Sequence, residues 1–178
     1  MSKPLSILFA AAIFAGSATQ GFAQDCPSGM RAIPLSGKIS NNSLIMNELT
    51  GESETLGVAH VVFDKDKMKC AVHGVGTVLS GVTDLVHTIV CDDSVKSWNP
   101  YIGQFETIHS QATLHTNGYF MVPTEPCIFP FQEISEVVSG TGRGVFENVE
   151  QGELLIDGTA NCQDSIDMKF NGYVCLPE

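Results

Sequence analysis

Positive charge is scarce in this chain. Nine Lys and Arg stand against twenty Asp and Glu, for a formal net charge of −11. No basic stripe exists to neutralise phosphates, so nucleic acid is excluded as an expected partner. The acidity reads as solubility. Also missing are Cys-x-x-Cys pairs, which removes the zinc-knuckle and thioredoxin-like readings. No Gly-x-Ser-x-Gly elbow is present to carry a serine nucleophile, and no Gly-Lys-Ser/Thr to carry a Walker loop. His-x-His and His-x-x-x-His spacings are absent, and no metal or cofactor is expected. Past the N-terminus no stretch holds a helical period over three turns, and no apolar run could span a bilayer as a helix. Three tyrosines and one tryptophan are too few for the aromatic girdles of an outer-membrane barrel. No stable membrane insertion is expected.

The first 23 residues are of another kind. Lys3 is the only charge before Asp25, Leu5–Gly16 is almost wholly apolar, and Gly21-Phe22-Ala23 follows. This is the layout of a secretory signal peptide, with cleavage expected after Ala23. Asp25 before Cys26 argues against a lipoprotein. The mature chain, 24–178, is one domain's worth of residues. It loses Lys3, so its charge moves from −11 to −12. A secreted or periplasmic location follows. The sequon at Asn41-Asn42-Ser43 matters only in a host that glycosylates.

All six cysteines lie after the signal peptide, and an even count in an exported chain reads as three disulfides. A turn centred on Ser80–Val82 brings Cys70 and Cys91 together. A hairpin turning at 163–165 would leave Cys162 and Cys175 about 30 Å apart at roughly 3.3 Å per residue, which forbids that bond. For the remaining four we expect Cys127–Cys162 and Cys26–Cys175.

Alternation with period two recurs along the mature chain. Ile166, Met168, Phe170, Val174 and Leu176 share one face of a strand, and Asp167, Lys169, Asn171 and Tyr173 the other. Other strands are predicted at about 32–40, 56–63, 69–78, 85–92, 104–121, 129–138 and 153–157. Asp93–Gly103 and the Pro-rich Pro123–Pro130 are predicted loops. The pattern indicates an all-β barrel or sandwich.

The glycines crowd most in "SGTGRGVFENVEQGELLIDG", Ser139–Gly158. A dinucleotide fingerprint needs a helix after the glycines, but here Gly152 interrupts and an apolar strand begins. A barrel corner fits better, with glycines supplying positive φ and Phe146 plugging the barrel's end. The order "GYF … ISEVVSGTGRGVFENVEQGELLIDG … MKFNGYV" resembles the allene oxide cyclase and dirigent superfamily over roughly residues 105–175. Gly140, Gly142, Phe146 and Gly152 match that family's turn. Ser139 stands where a glycine is usual, and Arg143-Gly144 adds one residue before Val145-Phe146. The resemblance implies a single eight-stranded antiparallel β-barrel with a cavity, acting on or orienting hydrophobic small molecules. It transfers no catalytic residue, because the turn shapes the barrel and does not react.

Chemistry-bearing candidates are few. Glu133 and Glu136 have opposite parity on one strand, so at most one faces a cavity. An inward Glu among apolar residues would be an acid or base with a raised pKa. Tyr119 is a further candidate to polarise a substrate. Trp98 and Tyr101, in the predicted mid-chain loop, are candidates to line a barrel mouth. His109 and His115 are too far apart along one strand to share a metal, whereas His60, His73 and His87 could meet. Asp92-Asp93 reads as a solvated pair. Three functions compete. The leading one is a barrel that binds an apolar small molecule. The second is a cyclase or isomerase on a lipophilic substrate, favoured if one carboxylate points into a cavity. The third is a structural or interaction protein, with a homo-oligomer as one form, favoured if Met168, Phe170, Ile156 and Phe146 fill the barrel.

Overall fold

The computed structural model describes residues 26–178 apart from 48, 124 and 164. The signal peptide expected over 1–23 lies outside the described residues. Eight antiparallel strands follow one another as a meander: β1 Met30–Met46, β2 Glu52–Phe63, β3 Asp66–Leu79, β4 Val82–Asn99, β5 Gln104–Phe120, β6 Ile128–Val137, β7 Gln151–Asn161 and β8 Ile166–Pro177. Each pairs with the next, and β8 pairs with β1, closing the barrel. Closure leaves the barrel wall no unpaired edge.

Local chemistry sets the hairpins. Ser80 and Gly81 both have positive φ, 53° and 80°. This two-residue connection makes Leu79 and Val82 partners and places Cys70 directly opposite Cys91. The disulfides are Cys70–Cys91, Cys127–Cys162 and Cys26–Cys175. Three such bonds belong to a protein that folds in an oxidising environment. No helix among the described residues is long and apolar enough to cross a membrane.

Several elements differ from expectation. Asp93–Gly103 is not a loop. After a register shift between Val90 and Ser94, β4 and β5 stay paired from Ser94↔His109 to Asn99↔Gln104, as an arm running past the barrel. Trp98 and Phe105 face each other on it and pack edge to face at 5.2 Å, a cross-strand aromatic pair that sequence distance conceals. β1 and β7 are longer than predicted, and β6 starts one residue earlier, at Ile128 in the Pro-rich stretch. Tyr173 and Cys175, on the predicted wet face of β8, are buried. The Cys26–Cys175 bond draws the N-terminal segment onto that part of the wall.

The two ends of the barrel differ. At the end holding the β6–β7 connection, Phe146 sits on a short 3-10 turn, Gly144–Phe146, and packs edge to face on Phe63 at 5.2 Å. Gly140 and Gly144 take positive φ, 75° and 64°, and a side chain at Gly142 would strike the Phe146 carbonyl. A side chain at Gly152, inside β7, would meet the Tyr173 carbonyl at 2.7 Å. The glycine-rich stretch is therefore a folded plug. Ser110 pins it: the Val145 N–H donates to Ser110 Oγ at 3.0 Å, and that hydroxyl donates to Asp93 Oδ2 at 2.6 Å. Above the plug Leu154, Ile156, Phe170 and Val174 fill the interior, leaving a void of about 30 Å³.

Candidate functional site

The other half of the barrel is hollow. A cavity of about 650 Å³ opens at the end formed by the β1–β2, β3–β4, β5–β6 and β7–β8 connections. This volume is in the range of small-molecule sites, roughly 300–1,000 Å³. Its walls are apolar: Met46, Leu85, Phe120, Phe129, Phe131 and Met168. Cys162 lines it too, and its bond to Cys127 ties the β5–β6 connection to the β7–β8 turn across the rim.

Between cavity and packed half lies a polar layer built on inward parity. Glu133 and Ser135 come from β6, Thr83 and His87 from β4, Thr116 from β5, Ser53 and Thr55 from β2, and Asn41 from β1; all are buried. Three glycines make room for the larger side chains. Glu133 lies over Gly118 of β5, His87 over Gly74 of β3, and Asn41 over Gly57 of β2; an added Cβ at each glycine would collide with that neighbour. The side chain of Glu133 is thereby laid across β5 toward Thr83, the cross-strand partner of Gly118.

His87 Nδ1 is 2.9 Å from Thr116 Oγ1, which is 2.6 Å from Ser135 Oγ, so the three side chains form a hydrogen-bonded row. Burial lowers the His87 pKa from 6.5 to about 4, and the nearby outward His73 adds to the effect. The imidazole is neutral at physiological pH. Burial raises the pKa of Glu133 from its ordinary 4.5. Thr83, which faces the carboxyl as a hydrogen-bond partner, pulls the other way but too weakly to reverse it. Asn41 Oδ1, Ser53 Oγ and Thr55 Oγ1 are buried without a hydrogen-bond partner.

Of the candidates from sequence, Glu133 reaches the cavity, and so does His87, which the sequence offered only as a metal ligand. Glu136 has the opposite parity and is exposed on the outer wall beside His115. Tyr119 also points outward, its hydroxyl donating to Gln132 Oε1 at 3.2 Å. Trp98 and Tyr101 are 54% and 96% exposed on the arm, at the end opposite the mouth. The histidines do not converge: His60 and His73 face outward while His87 faces in. His73 pairs with Glu54 and His115 with Asp84, both at 2.8 Å and half exposed. Among the described residues no group of three or more His, Cys, Asp or Glu could hold a metal. Asp92 and Asp93 do not form a pair: Asp92 accepts from the Lys69 N–H, and Asp93 from Ser110. Asn41, the sequon asparagine, is 1% exposed inside the barrel and is no glycan acceptor in the folded protein.

Sequence reasoning missed Asn41, Ser53, Thr55 and Thr83, and gave His87 only a metal role. The available signal was parity, since Thr83 and His87 alternate with Leu85, Ile89 and Cys91. It was masked because the outward face of the same strand carries Val82, Val86 and Val90. Comparison with protein-family models, curated proteins and solved structures returns no match.

Proposed function

We propose that this protein binds a predominantly apolar small molecule in the open half of its barrel. One observation carries the reading: a cavity of about 650 Å³ with apolar walls stands open at one end, while the other half is packed solid. Burying an apolar ligand there gains roughly 25 cal/mol per Å² removed from water. The solid-barrel alternative describes only the plugged half, where Phe146, Ile156 and Phe170 do meet. The three disulfides support export, and we read residues 1–23 as the signal peptide that takes the chain to the periplasm or the medium. The corner over 140–152 supports a kinship with the allene oxide cyclase and dirigent superfamily, whose members act on or orient hydrophobic molecules.

A second reading, a lipophilic cyclase or isomerase, is favoured by one specific feature. Glu133, the one inward carboxyl lining the cavity, shares it with a neutral imidazole, His87. A protonated acid can donate where a neutral base accepts.

Native mass spectrometry of the protein from its own host tests both. A released apolar molecule, one per chain, is expected after denaturation and extraction. Returned to fresh protein, it stays unchanged if the barrel only binds it, and turns over, with loss in Glu133→Gln, if the barrel is an enzyme. An empty protein that also takes up nothing from a lipophile library would sink the proposal.

A further inference from the structure

The rim of the open end carries apolar side chains on three of its four connections. Leu49, in the β1–β2 connection, is 94% exposed, and Val122, in the β5–β6 connection, is 84% exposed. Leu79 and Val82, which flank the β3–β4 turn, are exposed as well. Backbone hydrogen bonds hold the three tips side by side. The Val78 N–H donates to the Gly51 carbonyl and the Phe120 N–H to the Gly81 carbonyl, both at 2.7 Å. Exposed apolar residues scattered singly need no explanation, whereas a contiguous apolar patch marks an interaction site. Resting on the reading that the open half holds an apolar ligand, we propose that this rim docks reversibly on a lipid surface without net charge, and that the ligand enters the cavity from that lipid.

Three observations choose the occupant. The rim is continuous with the cavity, because Met46 and Phe129 are exposed at the mouth and also line the interior. An apolar molecule resides in lipid rather than in water, and a mouth pressed on lipid receives it without an aqueous step. The charge at the rim sets which lipid. Stretches 45–52, 78–83 and 119–130 contain no Lys or Arg, while Glu52 and Glu125 are exposed there. Anionic headgroups would be repelled. The wall behind the rim sets the depth. Lys38 lies directly opposite Lys169 on one side and His60 on the other, and His60 lies opposite Lys69; all four are exposed. This basic row, drawn from four strands and so invisible along the sequence, keeps the wall in water and leaves the barrel resting on the interface. A second copy set mouth to mouth would instead bring two acidic rims together and close both cavities.

The test is flotation of the oxidised, mature protein with phosphatidylcholine vesicles, in which the protein is expected to rise with the lipid. Leu49→Ser combined with Val122→Ser changes two side chains that the fold barely touches, and should weaken vesicle binding about tenfold or more. Tyr101→Ser, on the arm at the far pole, should leave it unchanged. Phosphatidylglycerol in the vesicles should weaken binding, most at low salt. Binding that survives in the rim variant, or is lost in Tyr101→Ser instead, would overturn the inference. Tighter binding to phosphatidylglycerol vesicles would overturn it too and point to the lysine row. A dimer that grows with concentration and does not float would show that a second copy covers the rim. Uptake of the apolar dye naphthylphenylamine from water, without vesicles, checks the underlying reading separately. Dye uptake without flotation overturns the docking alone, whereas flotation without dye uptake strikes the cavity reading on which ligand entry rests.

Discussion

Glu133 and His87 sit in one layer, and burial moves their titrations in opposite senses. The folded protein holds the Glu133 proton at pH values where the unfolded chain has released it. That contribution to stability is complete below the ordinary carboxylate value of 4.5 and is lost as pH climbs through the raised one. His87 behaves in reverse. The unfolded chain takes up a proton near 6.5 and the folded one only near 4, so stability falls as pH drops through that window, by about 3 kcal/mol at most. Chemical unfolding measured across pH should therefore show a falling limb that Glu133→Gln removes. It should also show an acid limb between about 6.5 and 4 that becomes shallower in His87→Gln. If neither variant alters its limb, these groups are not held in their neutral forms by the fold. Little of this was legible beforehand. The sequence reading narrowed the inward acid to one of Glu133 and Glu136 by parity but could not choose, because Ile134 and Val138 make Glu136's face look equally apolar.

Among the elements, β8 was the easiest to read and the β4–β5 arm the hardest. In β8 the alternation from Ile166 to Phe170 is clean because one side meets the core and the other meets water. The arm has water on both sides, so burial imposes no alternation, and its pairing is set by the hairpin and by Trp98 against Phe105. The glycine seats under Glu133, His87 and Asn41 were invisible for a different reason. Each joins residues of two strands through register, and register is not written locally. The plug was readable as a corner, but its fastening was not. Ser110 is fully buried and serves both Val145 and Asp93. Ser110→Ala strands the Val145 N–H and should cost about 1–3 kcal/mol in urea unfolding. The loss should appear as faster hydrogen exchange over 143–149 before it appears elsewhere. Exchange that speeds up uniformly would show that the hydroxyl does not hold the plug.

At the scale of the whole molecule, the barrel divides its labour by end. Four connections and the Cys127–Cys162 bond surround the opening; the plug, the arm and both ends of the described chain lie at the opposite pole. The chain's one tryptophan, Trp98, belongs to that far pole and is half exposed. A ligand entering the cavity should thus leave tryptophan emission unchanged, while a probe carried at the rim, for example on Val122→Cys, should respond. A tryptophan shift on saturation would place the ligand on the arm instead. The all-β class could be read from turn residues and alternation, and the count of eight was what the family resemblance implied. The division into a solid half and a hollow half could not, because it depends on which inward positions face one another across the barrel.

The pairing of Met30 with Pro177 sets both ends of the described chain at the plugged pole, side by side. This fixes an orientation. Fused or immobilised through Glu178, the barrel would stand with its opening turned away from the support. A surface coated in this way would present every cavity to the solution, with neither the attachment nor a neighbouring molecule blocking entry.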